Sequence, residues 1–206
     1  MRALKISPKL AKRYVTTTDS RHNLPVADNL LQRDFSAESP GQKWVSDITY
    51  IATLQGWCYL TCIIDLADRY VVGWAMSNNM SAEATVVAAV RNAVRNRMPR
   101  AGFTFHSDRG SQYASRSCAH LISLYDGHQS MPAKGNCYDN AVAESFFKTI
   151  KTECINRHEF ISMEHAERYV FDYIDGWYNT QRIHTSLNGI APAQAYRNLT
   201  SNALAA

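Results

Sequence analysis

Apolar positions divide the chain beyond residue 43 into predicted strands and helices. Three runs rich in Val, Ile, Thr, Tyr and Trp predict strands, and they cover Trp44–Leu54, Trp57–Leu66 and Tyr70–Met76. The connections between them are too short for a crossover helix, so these strands are predicted to form an antiparallel meander. A short apolar run, Phe103–Phe105, predicts a buried fourth strand.

Apolar positions at helical spacing predict helices between and after these strands. They run from Ser81 to about Met98, from Ser115 to Tyr125, from Asp139 onward, from Ser162 to Tyr178, and from Pro192. Ser81 and Asp139 are expected to act as N-caps. The segment from Gly127 to Tyr138 combines glycine, proline and asparagine, and it is predicted to be a mobile loop.

Together with a fifth short strand, these elements predict an α/β domain. Their order, a meander followed by alternating strand and helix, is that of a ribonuclease H-like fold with a mixed five-stranded sheet flanked by helices. The predicted divisions are a basic extended arm over residues 1–42, a core over residues 43–160, and a helical extension of the core over residues 161–206.

The distribution of charge adds a candidate partner to this fold. The formal net charge is +4, and the first 43 residues hold eight Lys and Arg against four Asp and Glu, so the excess lies there. A basic arm favours a polyanionic partner such as DNA, although a solvated tail without function has the same composition. Neither a signal peptide nor a membrane-spanning run is recognised, so a cytoplasmic protein without a membrane partner is expected.

Three carboxylates from three predicted elements form the candidate chemistry. Asp47 lies within the first strand, Asp108 follows the fourth strand, and Glu144 lies early in the helix after Asp139. Clustered carboxylates repel one another unless a cation lies between them. Oxygen ligands of this kind suit Mg²⁺, or Mn²⁺ as a substitute, and two such ions can catalyse phosphoryl displacement.

Each acid also has a structural alternative when it is considered alone. Asp108 could stabilise a turn before Gly110, Glu144 could be an exposed helical acid, and Asp47 could be an edge-strand charge. Other acids nearby, such as Asp65 and Asp68, are assigned mainly to turns or solvated faces.

Three motifs carry a resemblance to a known family. They are WVSDITYI at residues 44–51, HSDRGSQY at residues 106–113, and KGNCYDNA at residues 134–141 followed by ESFF at residues 144–147. They closely resemble the integrase-type transposases of the insertion-sequence-three family, specifically the product of its second reading frame. Thirty-five residues separate Asp108 from Glu144, a spacing which that family shares with retroviral integrases.

The resemblance implies that Asp47, Asp108 and Glu144 hold the catalytic metal ions and that the chain cleaves and transfers DNA strands at insertion-sequence ends. It also implies that Lys151 touches the DNA end. Lys148 could do the same, and its alternative is a surface pair with Glu144.

Three residues of the predicted loop, Lys134, Asn136 and Tyr138, could order around a DNA terminus. The alternative is a flexible loop of no catalytic consequence.

Two partners other than DNA follow from the resemblance. Acting on two element ends implies a homo-oligomer, at least a dimer, and end recognition is expected to come from an upstream helix-turn-helix reading-frame product. The rival hypotheses are a truncated, non-catalytic DNA-binding regulator or remnant and a nuclease of the same fold that cuts without joining.

Overall fold

The computed structural model describes residues 22–133 and 137–204 of the 206-residue chain, with the side chains of 137, 138 and 202–204 excepted. One sheet has five strands, and these are β1 (Lys43–Thr53), β2 (Gly56–Asp65), β3 (Val71–Ser77), β4 (Thr104–His106) and β5 (His128–Ser130). The α-helices of the described residues are α1 (Ala88–Asn96), α2 (Arg116–Leu124), α3 (Ala141–Glu153), α4 (Met163–Phe171) and α5 (Pro192–Leu204).

The sheet is mixed, with the order β3-β2-β1-β4-β5. The strands β1, β2 and β3 pair antiparallel, which confirms the predicted meander. The strands β1, β4 and β5 pair in parallel, as expected when helices connect them. The mixed five-stranded sheet with flanking helices is therefore the predicted one.

Apolar side chains form two clusters, which correspond to alternate positions of the central strand. Val45 and Ile51 of β1 belong to the cluster that contains the buried face of α3 and parts of α4. Trp44 and Ile48 belong to the other cluster, which contains α1 and α2. Successive strand residues point to opposite faces, so one strand of apolar residues supplies both cores.

The predicted helices are present, with serine caps at two of them. The Ser115 Oγ accepts a hydrogen bond from the Cys118 N–H, and the Ser162 Oγ accepts one from the His165 N–H. A π-helical segment, Glu83–Val87, leads directly into α1. Likewise α4 continues as a π-helical segment over residues 172–178. Within the described residues, no helix is both long enough and apolar enough to cross a membrane.

One close approach fixes how α1 lies on the sheet. A Cβ added to Gly73 of β3 would lie 2.5 Å from the backbone nitrogen of Ala93 in α1. Only glycine leaves room for this contact, so helix and strand approach here with backbone almost touching backbone.

One expectation from the sequence is wrong and two are wrong in part. The segment predicted as a mobile loop begins with β5, whose pairing to β4 depends on long-range contacts rather than on its own composition, and its residues 134–136 lie outside the described residues. Asp139 does not cap α3, because it lies in a 3-10 turn and its carboxylate pairs with other residues. Asp68 lies in a turn as expected, but both Asp65 and Asp68 are fully buried rather than solvated.

The two buried acids share one cation, and burial together with the charge of Asp65 raises the pKa of Asp68 to about 6. Arg97, just after α1, places its Nη1 2.8 Å from the Asp65 Oδ2 and 2.8 Å from the Asp68 Oδ2. The Asp65 Oδ2 also accepts from the Trp44 indole at 3.1 Å and from the Gly41 N–H at 2.6 Å. A buried charge requires such partners, and these tie the start of β1 to the end of β2.

The described part of the N-terminal segment, residues 22–42, lies against the core. Leu31 is only 2% exposed and belongs to the cluster around α3. The Ser130 Oγ at the end of β5 accepts from the Leu30 and Leu31 N–H groups at 2.9 and 3.1 Å. The positions of residues 1–21 lie outside the described residues, and the predicted division of the chain at residue 42 stays a prediction.

Candidate active site

The strand β1 presents Asp47 on the face that packs against α3. Asp47 is two residues from Val45 and four from Ile51, so the three side chains point to the same face of β1. Val45 and Ile51 are buried against that helix. Its Oδ1 accepts a hydrogen bond from the Ile48 N–H at 2.8 Å. Burial raises the pKa of Asp47 well above its ordinary value, and the charges of Asp108 and Glu144 raise it further.

The parallel register of β1 and β4 brings Asp108 to Asp47. Val45 is paired with His106, the last residue of β4. Asp47 lies two residues further along β1, and Asp108 lies two residues beyond the end of β4, so the chain brings Asp108 near Asp47, whose pKa its charge raises. The Asp108 Oδ1 accepts from the Gly110 N–H at 2.9 Å, so the turn role considered from the sequence is present alongside the approach to Asp47.

The third acid, Glu144, lies in the first turn of α3. The buried face of this helix, which contains Phe146, Phe147 and Ile150, packs in the same cluster as Val45. Burial raises the pKa of the partly exposed Glu144 carboxyl. Among the charges acting on Asp47, that of Glu144 is weaker than that of Asp108. The site is thus a close pair of acids with a third one approaching from the helix.

The donor set fits a hard divalent cation. Mg²⁺ is commonly held by one or two carboxylates together with water and phosphate oxygens, which a close pair of acids can provide. In residues 22–133 and 137–204, no group of three or more His, Cys, Asp and Glu side chains is close enough together to hold a metal ion. The pair formed by Asp47 and Asp108 is therefore the part of the site that fits a cation in this arrangement.

Two lysines of α3 were singled out from the sequence, and the structure distinguishes them. The Lys151 Nζ lies 4.7 Å from the centroid of the Tyr50 ring. Burial lowers the pKa of Lys151, and the charge of Asp47 opposes that shift. Lys148 is exposed, and among the ion pairs of the described side chains none joins it to Glu144. The alternative of a Glu144–Lys148 surface pair is therefore not realised.

The predicted DNA-contacting loop residues cannot be located in the same way. Lys134 and Asn136 lie outside the described residues, and so does the side chain of Tyr138. Their role stays a prediction.

A buried hydrogen bond beneath the acids was not foreseen from the sequence. The Tyr113 hydroxyl and the Ser46 Oγ are 2.8 Å apart, and the Ser46 Oγ donates to the Cys62 carbonyl at 3.0 Å. The charges of Asp47 and Asp108 add to burial in raising the pKa of Tyr113, which places its hydroxyl near both acids. The only signal in the sequence was that Tyr113 closes the motif containing Asp108.

A second group of buried bonds holds the start of α3. The Asp139 carboxylate, 1% exposed, accepts from the Arg33 Nε at 2.8 Å and from the Asn29 Nδ2 at 2.9 Å. The Asn140 Nδ2 donates to the Ser46 carbonyl at 3.1 Å. The helix that carries Glu144 is thus bound at its beginning to both β1 and the N-terminal segment.

His106, the last residue of β4, is connected to the N-terminal segment through Ser130. Its Nδ1 lies 2.8 Å from the Ser130 Oγ, which already accepts from two backbone N–H groups and so donates its own proton to the ring. Burial lowers the pKa of His106 to about 4. The imidazole is therefore neutral near pH 7, with its proton on Nε2.

Comparison with known sequences identifies two matching domain families. The integrase core domain family matches residues 37–137, and a second family of the same description matches residues 126–192. The transposase InsF for insertion sequence IS3fB of Escherichia coli strain K12 is 41% identical over 194 residues, covering 94% of this chain and 67% of the relative. A 31 kDa protein of insertion element IS600 from Shigella sonnei is 42% identical over 190 residues, covering 92% and 70%.

The chain is shorter than these relatives. It spans 64% of the length of the transposase InsF for insertion sequence IS3A of Escherichia coli strain K12, to which it is 42% identical over 186 residues, 90% of this chain.

Solved structures with the same fold are catalytic cores of retroviral integrases. The core domain of bovine immunodeficiency virus integrase is 13% identical, covering 80% of this chain and 99% of that one, with a TM-score of 0.56. The core domain of the HTLV-2 integrase in complex with magnesium is 13% identical, covering 77% and 96%, with a TM-score of 0.51. These likenesses confirm the predicted ribonuclease H-like fold.

Proposed function

Because the chain belongs to the insertion-sequence-three family of transposases with an integrase core domain, we propose that it is a metal-dependent catalytic domain that cleaves and joins DNA strands at insertion-sequence ends. The observation that carries this proposal is the proximity of Asp108 to Asp47, whose pKa its charge raises, with Glu144 in the first turn of α3.

Each acid has a distinct part in the proposed site. Asp47 and Asp108 would bind Mg²⁺, or Mn²⁺ in its place, and the charge of Asp108 acting on Asp47 supports this pairing. Glu144, in the first turn of α3, would add a third carboxylate to the ligand set. The bound ions supply activation of the attacking oxygen and stabilisation of the leaving oxygen in an in-line phosphoryl displacement.

Lysines would supply the contact with the DNA backbone. The charge of Asp47 raises the pKa of Lys151, which indicates that the two groups are near each other. A phosphate bound at the acids would therefore also contact this ammonium group. Lys148 is exposed on the same helix and could meet a neighbouring phosphate. Lys134, Asn136 and Tyr138 are proposed to order around the DNA terminus.

The proposed partners follow from the reaction. Joining two ends of one element requires at least two copies of the site, so a homo-oligomer is proposed, and the HTLV-2 integrase core has been solved in a dimeric and a trimeric form. Recognition of the terminal repeats is assigned to the upstream helix-turn-helix product. DNA in the cytoplasm is the proposed substrate.

A strand-transfer assay tests the proposal. An end-labelled duplex carrying the terminal repeat of the encoding element is incubated with the chain and Mg²⁺, and products are separated on a denaturing gel. Joined products support transposition, cleavage alone supports the rival nuclease, and binding without chemistry supports the truncated regulator.

Two variants make the site assignment specific. Asp108→Asn should abolish both cleavage and joining, whereas Asp172→Asn, which removes an exposed acid at the end of α4, should leave both unchanged. Joining that survives in Asp108→Asn would refute the assignment of the site.

A further inference from the structure

The beginning of the N-terminal segment contacts the chain beside two of the three acids. We refer to residues 22–33 as the strap. One end of the strap bonds to the residue that follows Asp108, and the middle bonds to the last residue of β5. The other end bonds to a residue just before α3, the helix that carries Glu144.

The first end of the strap holds the turn that follows Asp108. The Leu24 N–H donates to the His22 Nδ1 at 3.2 Å, so the proton of the ring is on Nε2. This Nε2 donates to the Arg109 carbonyl at 2.7 Å. The Arg109 Nε in turn donates to the Pro132 carbonyl at 2.7 Å. The chain beside Asp108 is therefore held both by the strap and by the residues after β5.

The middle of the strap is anchored in the core. Leu31 is 2% exposed, and the Leu30 and Leu31 N–H groups both donate to the Ser130 Oγ. The same hydroxyl donates to the His106 Nδ1 at 2.8 Å. Because the strap is fixed between its ends, each end acts separately on the part of the chain that it contacts.

The second end of the strap holds the residues that lead into α3. The Asn29 Oδ1 accepts from the Gln32 N–H at 3.0 Å, which directs the Asn29 Nδ2 to the Asp139 Oδ2 at 2.9 Å. The Arg33 Nε donates to the Asp139 Oδ1 at 2.8 Å. Each oxygen of this buried carboxylate thus accepts from one side chain of the strap.

The first turn of α3 depends on such contacts for its position. Its N-cap residue, Asn140, makes no side-chain cap hydrogen bond, so the helix start is fixed by the residues around it. Asp139 lies five residues before Glu144, whose charge acts on Asp47. No three His, Cys, Asp or Glu side chains in the described part of the chain form a metal-binding group. The contribution of Glu144 to a bound cation therefore depends on how the start of α3 is held.

We propose that the strap is a positioning element for the cation site. Arg33 and Asn29 hold the start of α3, and with it Glu144, beside the ion. His22 holds the turn after Asp108. All three are positioning residues, because they act through the chain beside the acids. This inference rests on the proposed function, since it assumes that the acids bind a divalent cation.

Calorimetric titration with Mn²⁺ tests the strap. The affinity of the 206-residue chain would be measured for Arg33→Ala, Arg33→Lys, His22→Ala and His22→Gln, and the two alanine variants would be repeated in a Glu144→Gln background. Two controls come from α1, where Arg91→Ala removes an exposed arginine and Val90→Ala loosens the core cluster on the other face of the sheet. Circular dichroism would establish that each variant is folded during the titration.

The expected losses differ between the two ends of the strap. Arg33→Ala should weaken Mn²⁺ binding about tenfold, at the low end of what outer-shell contacts contribute to metal sites. Removal of a positive charge alone would tighten cation binding, so this weakening reports position. In the Glu144→Gln background, Arg33→Ala should change the affinity by less than about twofold, because its effect passes through Glu144.

His22→Ala should weaken binding by a similar factor in both backgrounds, because its effect passes through Asp108. Arg33→Lys and His22→Gln keep a donor at each position, so they should retain most of the affinity. The Arg91→Ala and Val90→Ala controls should bind Mn²⁺ like the unsubstituted chain.

Several results would overturn the strap as a positioning element. They are unchanged Mn²⁺ affinity in Arg33→Ala and His22→Ala, an equal loss in Val90→Ala, full persistence of the Arg33→Ala loss in the Glu144→Gln background, tighter binding in Arg33→Ala, and no binding by the unsubstituted chain. The strand-transfer assay separates the two proposals. Strap-dependent Mn²⁺ binding without cleavage refutes only the proposed chemistry, whereas cleavage and joining with equal Mn²⁺ affinity in all strap variants refutes only the strap.

Discussion

Breaking the contact between Arg33 and Asp139 should destabilise the fold by an amount that follows from its geometry. The Asp139 carboxylate is 1% exposed and accepts from Arg33 and Asn29, whereas the Arg33 side chain is 54% exposed. Hydrogen bonds to a charged group contribute about 1.5–3 kcal/mol when buried, and exposure of one partner reduces this toward 1 kcal/mol. Asp139→Ala removes both bonds, together with a long one from the Ala133 N–H at 3.4 Å, so a loss of about 2–3 kcal/mol is expected.

Arg33→Ala should cost less, about 1–2 kcal/mol, because the carboxylate keeps its bond to Asn29 while losing its cation. In a chain of this size, each 1 kcal/mol lowers Tm by about 2–4 °C. Asp139→Ala should therefore melt about 5–10 °C lower. The double variant should lose about 1 kcal/mol less than the sum of the single losses, which is the coupling energy of the pair.

Urea denaturation of the four proteins, followed by circular dichroism, measures this cycle directly. Asn198→Ala, in the solvent-facing part of α5, serves as a baseline for surface substitution. Strict additivity of Arg33→Ala and Asp139→Ala would show that the two side chains do not interact in solution. Asn29 and the packing of Leu31, rather than Arg33, would then bind the N-terminal segment to the helix that carries Glu144.

Three further outcomes are expected. Gly73→Ala should cost about 3 kcal/mol, because the new Cβ would overlap the backbone of Ala93, whereas Gly176→Ala meets no atom within 4 Å and should be nearly neutral in the same thermal melts. The raised pKa of Asp47 means that its protonated form stabilises the fold below the unfolded pKa near 4 and that this stability is lost as pH rises through the folded pKa. In EDTA, Asp47→Asn should therefore raise Tm at pH 8 and change it little at pH 4, and a lower Tm at pH 8 would contradict the repulsion. Lys151→Gln should weaken binding of any DNA sequence and reduce the slope of log K against log salt by about one, and an unchanged slope would exclude a phosphate contact.

The central part of the fold and the acidic pair follow from local pattern. Three apolar runs with short connections allow only a meander, and an acid inside β1 beside another after β4 can be recognised because parallel strands meet at one edge. The structure adds the register, in which Val45 pairs with the last residue of β4, that brings Asp108 near Asp47. That proximity depends on the pairing of strands far apart in sequence, which no local pattern specifies.

What the sequence did not predict depends on partners distant along the chain. Asp65 and Asp68 resemble ordinary turn acids, but both are buried and pair with Arg97, which lies just after α1. Asp139 resembles an N-cap, but Arg33 bonds its carboxylate instead. The strand β5 has only three residues and is too short for a periodic signal, so its existence depends on the hydrogen bonds that β4 offers.

The docked N-terminal segment means that the matched domain and the folding unit have different boundaries. The integrase core match begins at residue 37, yet Leu31 fills the core and Asn29 and Arg33 satisfy a buried carboxylate upstream of that point. A fragment cut at residue 37 would expose apolar surface around α3 and leave the buried Asp139 carboxylate without its bonds to Arg33 and Asn29. The packed unit of the described residues therefore extends upstream of the matched domain, and the contact of the His22 ring with the Arg109 carbonyl at 2.7 Å belongs to it as well.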